Sequence, residues 1–297
     1  MNGNSMLSHR EDDLERFQAL NQRVGVAWPT LMLLAVAFVV FGVSTLAYIQ
    51  GMLPLFWAML FNTIAVYMSF TPAHDASHNA VSTHRQLNEW VGRIATALLS
   101  PVPFFRMFRY IHMQHHRFTN DAARDPDLWV STGPGWLLPL KWATLDLSYF
   151  CYYFKPSVFM ERPKSERREL FLAVLFGLAI FTAVTLAGWL DYYLLLFFVP
   201  TRITAFCLAL AFDFLPHYPH QAQGEDDPFR CTSNRIGMEW LLTPVLLYQN
   251  YHLVHHLYPR LPFYRYISVW RARQRHHESQ DPAIVDTFSL GPKRQAR

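Results

Sequence analysis

Apolar positions follow one another almost without a break from Val24 to Phe70, and no formally charged side chain occurs between Arg23 and Asp75. A helix needs about 20 apolar residues to cross the ~30 Å of bilayer hydrocarbon. The interval therefore predicts two membrane spans, Ala27 to Ile49 and Leu53 to Phe70, joined tightly at "QGM". A second apolar interval predicts another hairpin, Leu170 to Trp189 and Tyr192 to Phe212, broken at "GWLD" because glycine and aspartate suit a turn. Shorter stretches, "IATALLSPVPFF" from Ile94 and "WLLPLKWATLDLSYFCYYF" from Trp136, carry internal prolines or Lys141 and Asp146 and predict interfacial or re-entrant helices. The expected fold is all-α, a polytopic membrane protein with four transmembrane helices.

Composition agrees, since 52% apolar and 16% charged residues in 297 depart from an ordinary soluble enzyme. The 26 Lys and Arg residues avoid both hairpin turns, and Arg202 is the only one inside a predicted span. Cytoplasmic loops carry the positive excess, so both termini and the long middle segment are expected on the cytoplasmic side. The chain divides into an arm (1–26), a membrane domain (27–266) and a basic cytoplasmic tail (267–297). The start lacks the basic-then-apolar build of a cleaved signal peptide, which leaves the first span to act as the insertion signal. Basic residues that border spans fit anionic headgroups or an acidic redox partner rather than nucleic acid. Cys151, Cys207 and Cys231 show no CxxC spacing and read as reduced packing residues. Arg202 costs its span roughly 2.5–3.5 kcal/mol, so it either pairs with a buried acid or marks a substrate passage.

The histidines change the picture from a membrane protein to a metal site. "HDASH" supplies His74 and His78, "HMQHH" supplies His112, His115 and His116, and "HLVHH" supplies His252, His255 and His256. Side chains three and four apart on a helix share a face, with Cβ atoms about 5–6 Å apart. "FDFLPHYPH" adds Asp213 and His217 at the same spacing. An even number of spans between clusters lets all of these histidines meet on one membrane face. A structural zinc takes four ligands and a catalytic zinc three, so this set implies two ions, while imidazole alone leaves Fe, Zn, Cu and Ni open. Bis-histidine haem would need axial ligands facing each other within spans, and these cluster at span ends. Asp75, Asp125, Asp127 and Asn250 are candidates to hold a second ring nitrogen, although "RDPD" is equally good turn chemistry. His84 and His220 read as interfacial, and His9, His276 and His277 as solvated.

The boxes HDxSH, HxxHH and HxxHH resemble the membrane fatty-acid desaturase and hydroxylase superfamily, over Pro29 to Tyr266. The flanks "FTPAHDASHNAVSTHRQLNEWVGR", "HMQHHRFTNDAARDPDLWVSTG" and "QNYHLVHHLYPRLPFYRY" are similar to the bacterial and cyanobacterial type of beta-carotene hydroxylase. The resemblance implies two non-haem Fe ions at the cytoplasmic face, held by His74, His78, His112, His115, His116, His217, His252, His255 and His256. Asp213 stands where related enzymes place a polar group near the metal, against the alternative of a helix-end cap; with Asn250 it is a catalytic candidate. The resemblance also implies O2 as co-substrate and a lipid-soluble substrate. The chain shows no flavin or dinucleotide fingerprint and no cysteine cluster, so electrons are expected from an external ferredoxin or b-type cytochrome. Hydroxylation of carotenoid rings is the leading expectation and fatty-acyl lipid desaturation the alternative, with a non-catalytic membrane metal binder as a third. The expected location is a bacterial inner membrane.

Overall fold

The computed structural model describes residues 13–292, so His9 and the beginning of the predicted arm lie outside the described residues. Among the described residues, four helices are long and apolar enough to cross a membrane: Trp28–Ile49, Leu55–Ser77, Lys164–Leu186 and Leu190–His217. Their outer faces carry exposed Val39, Val43, Phe56, Phe171 and Leu178. In lipid such a surface is the stable one, because a helix satisfies its own backbone and needs only apolar side chains outside. Gly51 and Gly188 close the two hairpins at φ 72° and 74°, a region open to glycine without a Cβ clash.

The boundaries move in an instructive direction. The second span does not stop at Phe70 but continues as helix to Ser77, and the fourth runs past Phe212 to His217. Apolar patterning marks where a helix leaves lipid, whereas the helix itself persists because Thr71, His74, Asp75 and Ser77 are buried against protein. The third span begins at Lys164, before the predicted Leu170, with Glu166 in its first turn, where a negative charge is favoured by the helix dipole.

Polar side chains bind the spans together. Asn62 of the second span receives the Ser44 hydroxyl, and its Nδ2 donates to the Leu196 carbonyl at 2.7 Å and to Thr45 Oγ1 at 3.0 Å. Leu196 lies in a π-helical turn, Leu194–Phe198, where the regular backbone ladder is broken, so the amide supplies a partner inside the bilayer. Arg202 finds an acid as the sequence anticipates. Its Nη1 and Nη2 donate to both oxygens of Asp146 at 2.7 and 2.8 Å. Asp146 belongs to the second of two short helices, Leu138–Ala143 and Leu145–Tyr153, that pack along the fourth span.

Two further helices, Arg85–Leu99 and Phe105–Phe118, position the middle histidines. Gly92 lets them meet closely, since a Cβ there would stand 2.0 Å from the Phe105 ring. Buried Glu89 ties them electrostatically: it accepts from Arg93 at 2.7 Å, Arg106 at 3.1 Å and Arg109 at 2.5 Å. Burial alone would raise its carboxyl pKa, but the guanidinium groups of Arg109 and Arg106 prevail and hold it at about 2. A carboxyl whose pKa is lower folded than unfolded stabilises above its unfolded value and loses that contribution as pH falls through the folded one. Stability is therefore expected to drop between about pH 4.5 and 2 from this group. Glu89→Gln should remove that acid limb and cost about 1–3 kcal/mol at neutral pH, because Arg109 loses its carboxylate while Arg93 and Arg106 keep only Glu169. Thermal unfolding in detergent across that pH range checks both.

The carboxy-terminal region is not the solvated tail that its charge suggests. Tyr266–Ala272 is a helix whose Tyr266, Val269, Trp270 and Ala272 pack with Phe17, Tyr251 and Leu253 in one core. His277 is fully buried, with Nε2 2.9 Å from the Tyr258 hydroxyl and Nδ1 3.2 Å from the Trp270 carbonyl. His276 remains exposed as expected. Beyond it, Ile284–Asp286 pairs in parallel with Asn234–Ile236, the short strand just ahead of the third histidine box.

Candidate metal centre

Four helices deliver the histidines to one place. His74 sits on the last turn of the second span and His78 caps it; His112, His115 and His116 share a face of Phe105–Phe118. His217 ends the fourth span, and His252, His255 and His256 lie on the short helix His252–Leu257. Two four-histidine groups result, His74/His78/His112/His255 and His115/His217/His252/His256. His116 lies between them, sharing a third group with His255 and His256. All nine residues that the sequence singles out are thus brought together, and eight of the nine come from the three boxes.

The inward atoms are the Nε2 nitrogens. They approach in pairs: His74 to His255 at 3.0 Å, His78 to His112 at 2.8 Å, His116 to His255 at 2.8 Å, His217 to His252 at 3.2 Å and His256 to His252 at 3.1 Å. Two ring nitrogens each ~2.1 Å from one ion at right angles would be about 3 Å apart, so the spacing fits coordination. Burial first, and then the neighbouring imidazoles, hold His78, His112, His116, His252, His255 and His256 far below the usual imidazole pKa. They are neutral, with a lone pair available to a metal.

Four of the outward nitrogens are held in turn. His115 Nδ1 is 3.0 Å from Asp125 Oδ1 and 3.5 Å from Asp127 Oδ2. Burial opposes protonation of His115, yet the two carboxylates lift its pKa to about 9, so a metal binding there displaces a proton. His217 Nδ1 faces the Cys231 carbonyl at 3.2 Å, His252 Nδ1 faces Gln249 Oε1 at 2.9 Å, and His255 Nδ1 faces the Tyr266 hydroxyl at 3.1 Å. With Nδ1–H donated outward from His217, His252 and His255, Nε2 is the free acceptor in these three rings.

Of the supporting residues expected from sequence, Asp125 and Asp127 reach a histidine. Asp125 performs both roles weighed for it, accepting His115 and also the backbone N–H groups of Asn120 and Asp127 that form the turn. Among the described residues Asp75 hydrogen-bonds to no histidine; its Oδ2 accepts from Thr30 at 2.8 Å and from the Phe263 amide at 3.4 Å, which pins the first span and the third-box flank to the second span. Asn250 also turns away from the histidines, with Nδ2 3.3 Å from Thr243 Oγ1. Its neighbour Gln249 holds His252 instead, and sequence reasoning passes over it because no spacing rule distinguishes the two amides. Tyr266 is missed for a different reason: it lies eleven positions beyond His255 and reaches it only by tertiary folding. Asp213 lines the cavity beneath the histidines together with His74 and His112.

The family profile for fatty acid desaturases matches residues 52–287, which contain every histidine of the centre. The chain belongs to the fatty acid desaturase family. Relatives of this family member include a dihydrorhizobitoxine desaturase from Bradyrhizobium elkanii, 27% identical over 76% of the chain and 70% of the relative. A beta-carotene ketolase from a Paracoccus strain is 28% identical over 66% of the chain and 71% of the relative. An acyl-lipid (7-3)-desaturase from Diacronema lutheri is 27% identical over 86% of the chain, which spans 64% of that protein. The desaturase-family chain is accordingly an integral-membrane oxidoreductase of the di-iron class, and its clustered neutral imidazoles are a donor set compatible with two non-haem irons.

Proposed function

We propose that this protein is an O2-dependent oxygenase or desaturase that acts on an unactivated C–H bond of a lipid-soluble substrate, with the nine histidines as ligands of two irons. The observation that carries the reading is a cavity directly under the centre. His74, His112, Asp213 and Gln249 form its polar end, and Phe70, Phe104, Phe108, Leu145, Leu208 and Phe212 are among its apolar walls. Such walls hold a hydrocarbon by burial alone, at about 25 cal/mol per Å², and exclude water from the reacting carbon.

Bound irons would supply O2 reduction and hydrogen abstraction, using two electrons from an external carrier such as a ferredoxin or b-type cytochrome. The chain's own contribution is positional. Asp125, Gln249, Tyr266 and the Cys231 carbonyl fix ring tautomers, and the aromatic walls aim one substrate carbon at the histidines. The site faces the cytoplasm of a bacterial inner membrane in this reading, since the lysines and arginines flank the helix ends that carry the histidines.

Two substrate readings follow. Carotenoid ring hydroxylation is favoured by the flanks of the boxes and by the ketolase relative. Acyl-lipid desaturation is favoured by the acyl-lipid desaturase relative. Expression in a bacterium that accumulates beta-carotene, followed by mass spectrometry of pigments and fatty acids, separates them. Hydroxylated carotene supports the first, a new acyl double bond supports the second, and iron-loaded protein that changes neither pool overturns both.

A further inference from the structure

The Arg202–Asp146 pair is more than a way to tolerate a charge in a span, because both residues line the same cavity as His74, His112 and Asp213. Arg202 lies near the middle of Leu190–His217, eleven residues before Asp213, which is about 16 Å of helix. An ion pair at that depth is costly, and ionisable groups inside membranes usually mark a ligand path. Here Nη1 and Nη2 are occupied by Asp146, while the buried Arg202 Nε–H has no protein partner among the described residues. Each Asp146 oxygen also keeps a lone-pair direction beyond the one that Arg202 uses.

We propose that Arg202 and Asp146 form a substrate-recognition subsite for an uncharged oxygen function, a hydroxyl or carbonyl carried by the lipid at a position removed from the reacting carbon. The guanidinium Nε–H donates to the oxygen, and a hydroxyl can in turn donate to the Asp146 carboxylate. The pair has no net charge, so it matches a neutral group rather than a carboxylate or phosphate. The remaining walls between it and the histidines are largely apolar, as a hydrocarbon segment joining the two polar ends requires. This inference rests on the lipid-substrate reading above, but not on which lipid is used or on metal being bound.

The test uses binding to the full-length, metal-free protein in detergent. Protein is equilibrated with equal amounts of octadecan-1-ol and octadecane, re-isolated, and its bound lipid quantified by gas chromatography and mass spectrometry. The wild type is expected to enrich the alcohol about ten-fold, the ratio given by one hydrogen bond to a charged group. Replacing the pair with an apolar one, Arg202→Leu with Asp146→Leu, should abolish the enrichment while octadecane is retained, since buried ion pairs are commonly replaceable by apolar residues. Arg202→Lys, which keeps the charge and its partner but removes the planar fork, should also lose it and decides the matter if the double variant fails to fold. An alcohol-to-alkane ratio that survives in these variants, or is absent in the wild type, overturns the subsite and leaves the lipid reading standing. Retention of neither probe by the wild type overturns the lipid reading and the subsite together.

Discussion

Replacing His255 by alanine is expected to abolish product and to lower bound iron from about two per chain to one or fewer, by more than the ~10–100-fold that loss of a supporting partner costs. His255 links two sets of ligands: its Nε2 is 3.0 Å from that of His74 and 2.8 Å from that of His116. It therefore belongs both to one four-histidine group and to the set that joins it to the other. Alanine would also leave the Tyr266 hydroxyl without its ring partner in a fully buried position. Iron measured by mass spectrometry on purified protein, beside product formation in whole cells, checks the prediction. Full iron loading in this variant would refute the assignment of His255.

Asp125→Asn is expected to reduce metal affinity or turnover by about 10–100-fold, and to do so at one ion only. The carboxylate accepts three donors, from His115, Asn120 and Asp127, and an amide has only one acceptor atom to offer them. His115 belongs to the group with His217, His252 and His256, so that ion should be lost first as chelator is added. Iron-to-protein ratios over a chelator titration would show a one-equivalent step that the wild type lacks. A single step, with both ions leaving together, would argue against two separable groups.

Much of this centre is legible in the chain because its chemistry is local. The i, i+3 and i+4 spacing within each box needs only helical geometry, and "FDFLPHYPH" reveals His217 by the same rule. The spans are legible because lipid imposes a simple composition. What hydropathy does not reveal is where a helix ends once it has left the lipid, and so His74 reads as following a span that in fact carries it. Long-range partners are the other gap. The flank "LYPRLPFYRY" has no physical role on paper, yet Phe263 donates its amide to Asp75 and Tyr266 orients His255. Charge misleads at the tail for a related reason: the exposed Arg271 on one side of Tyr266–Ala272 says nothing about the buried tryptophan and valine on the other.

The parallel pairing of Asn234–Ile236 with Ile284–Asp286 bears on how the protein is made. The helix His252–Leu257 is six residues long, too short to persist alone. It is steadied from the strand side, where the Arg235 amide donates to the Asn250 carbonyl and the Arg235 side chain grips the carbonyls of Asp286, Thr287 and Ser289. During translation, His74 and His78 leave the ribosome more than two hundred residues ahead of that clasp. The nascent chain thus carries a partial set of histidines through insertion, and loading with two ions is expected as a late event that follows synthesis of Ile284–Asp286.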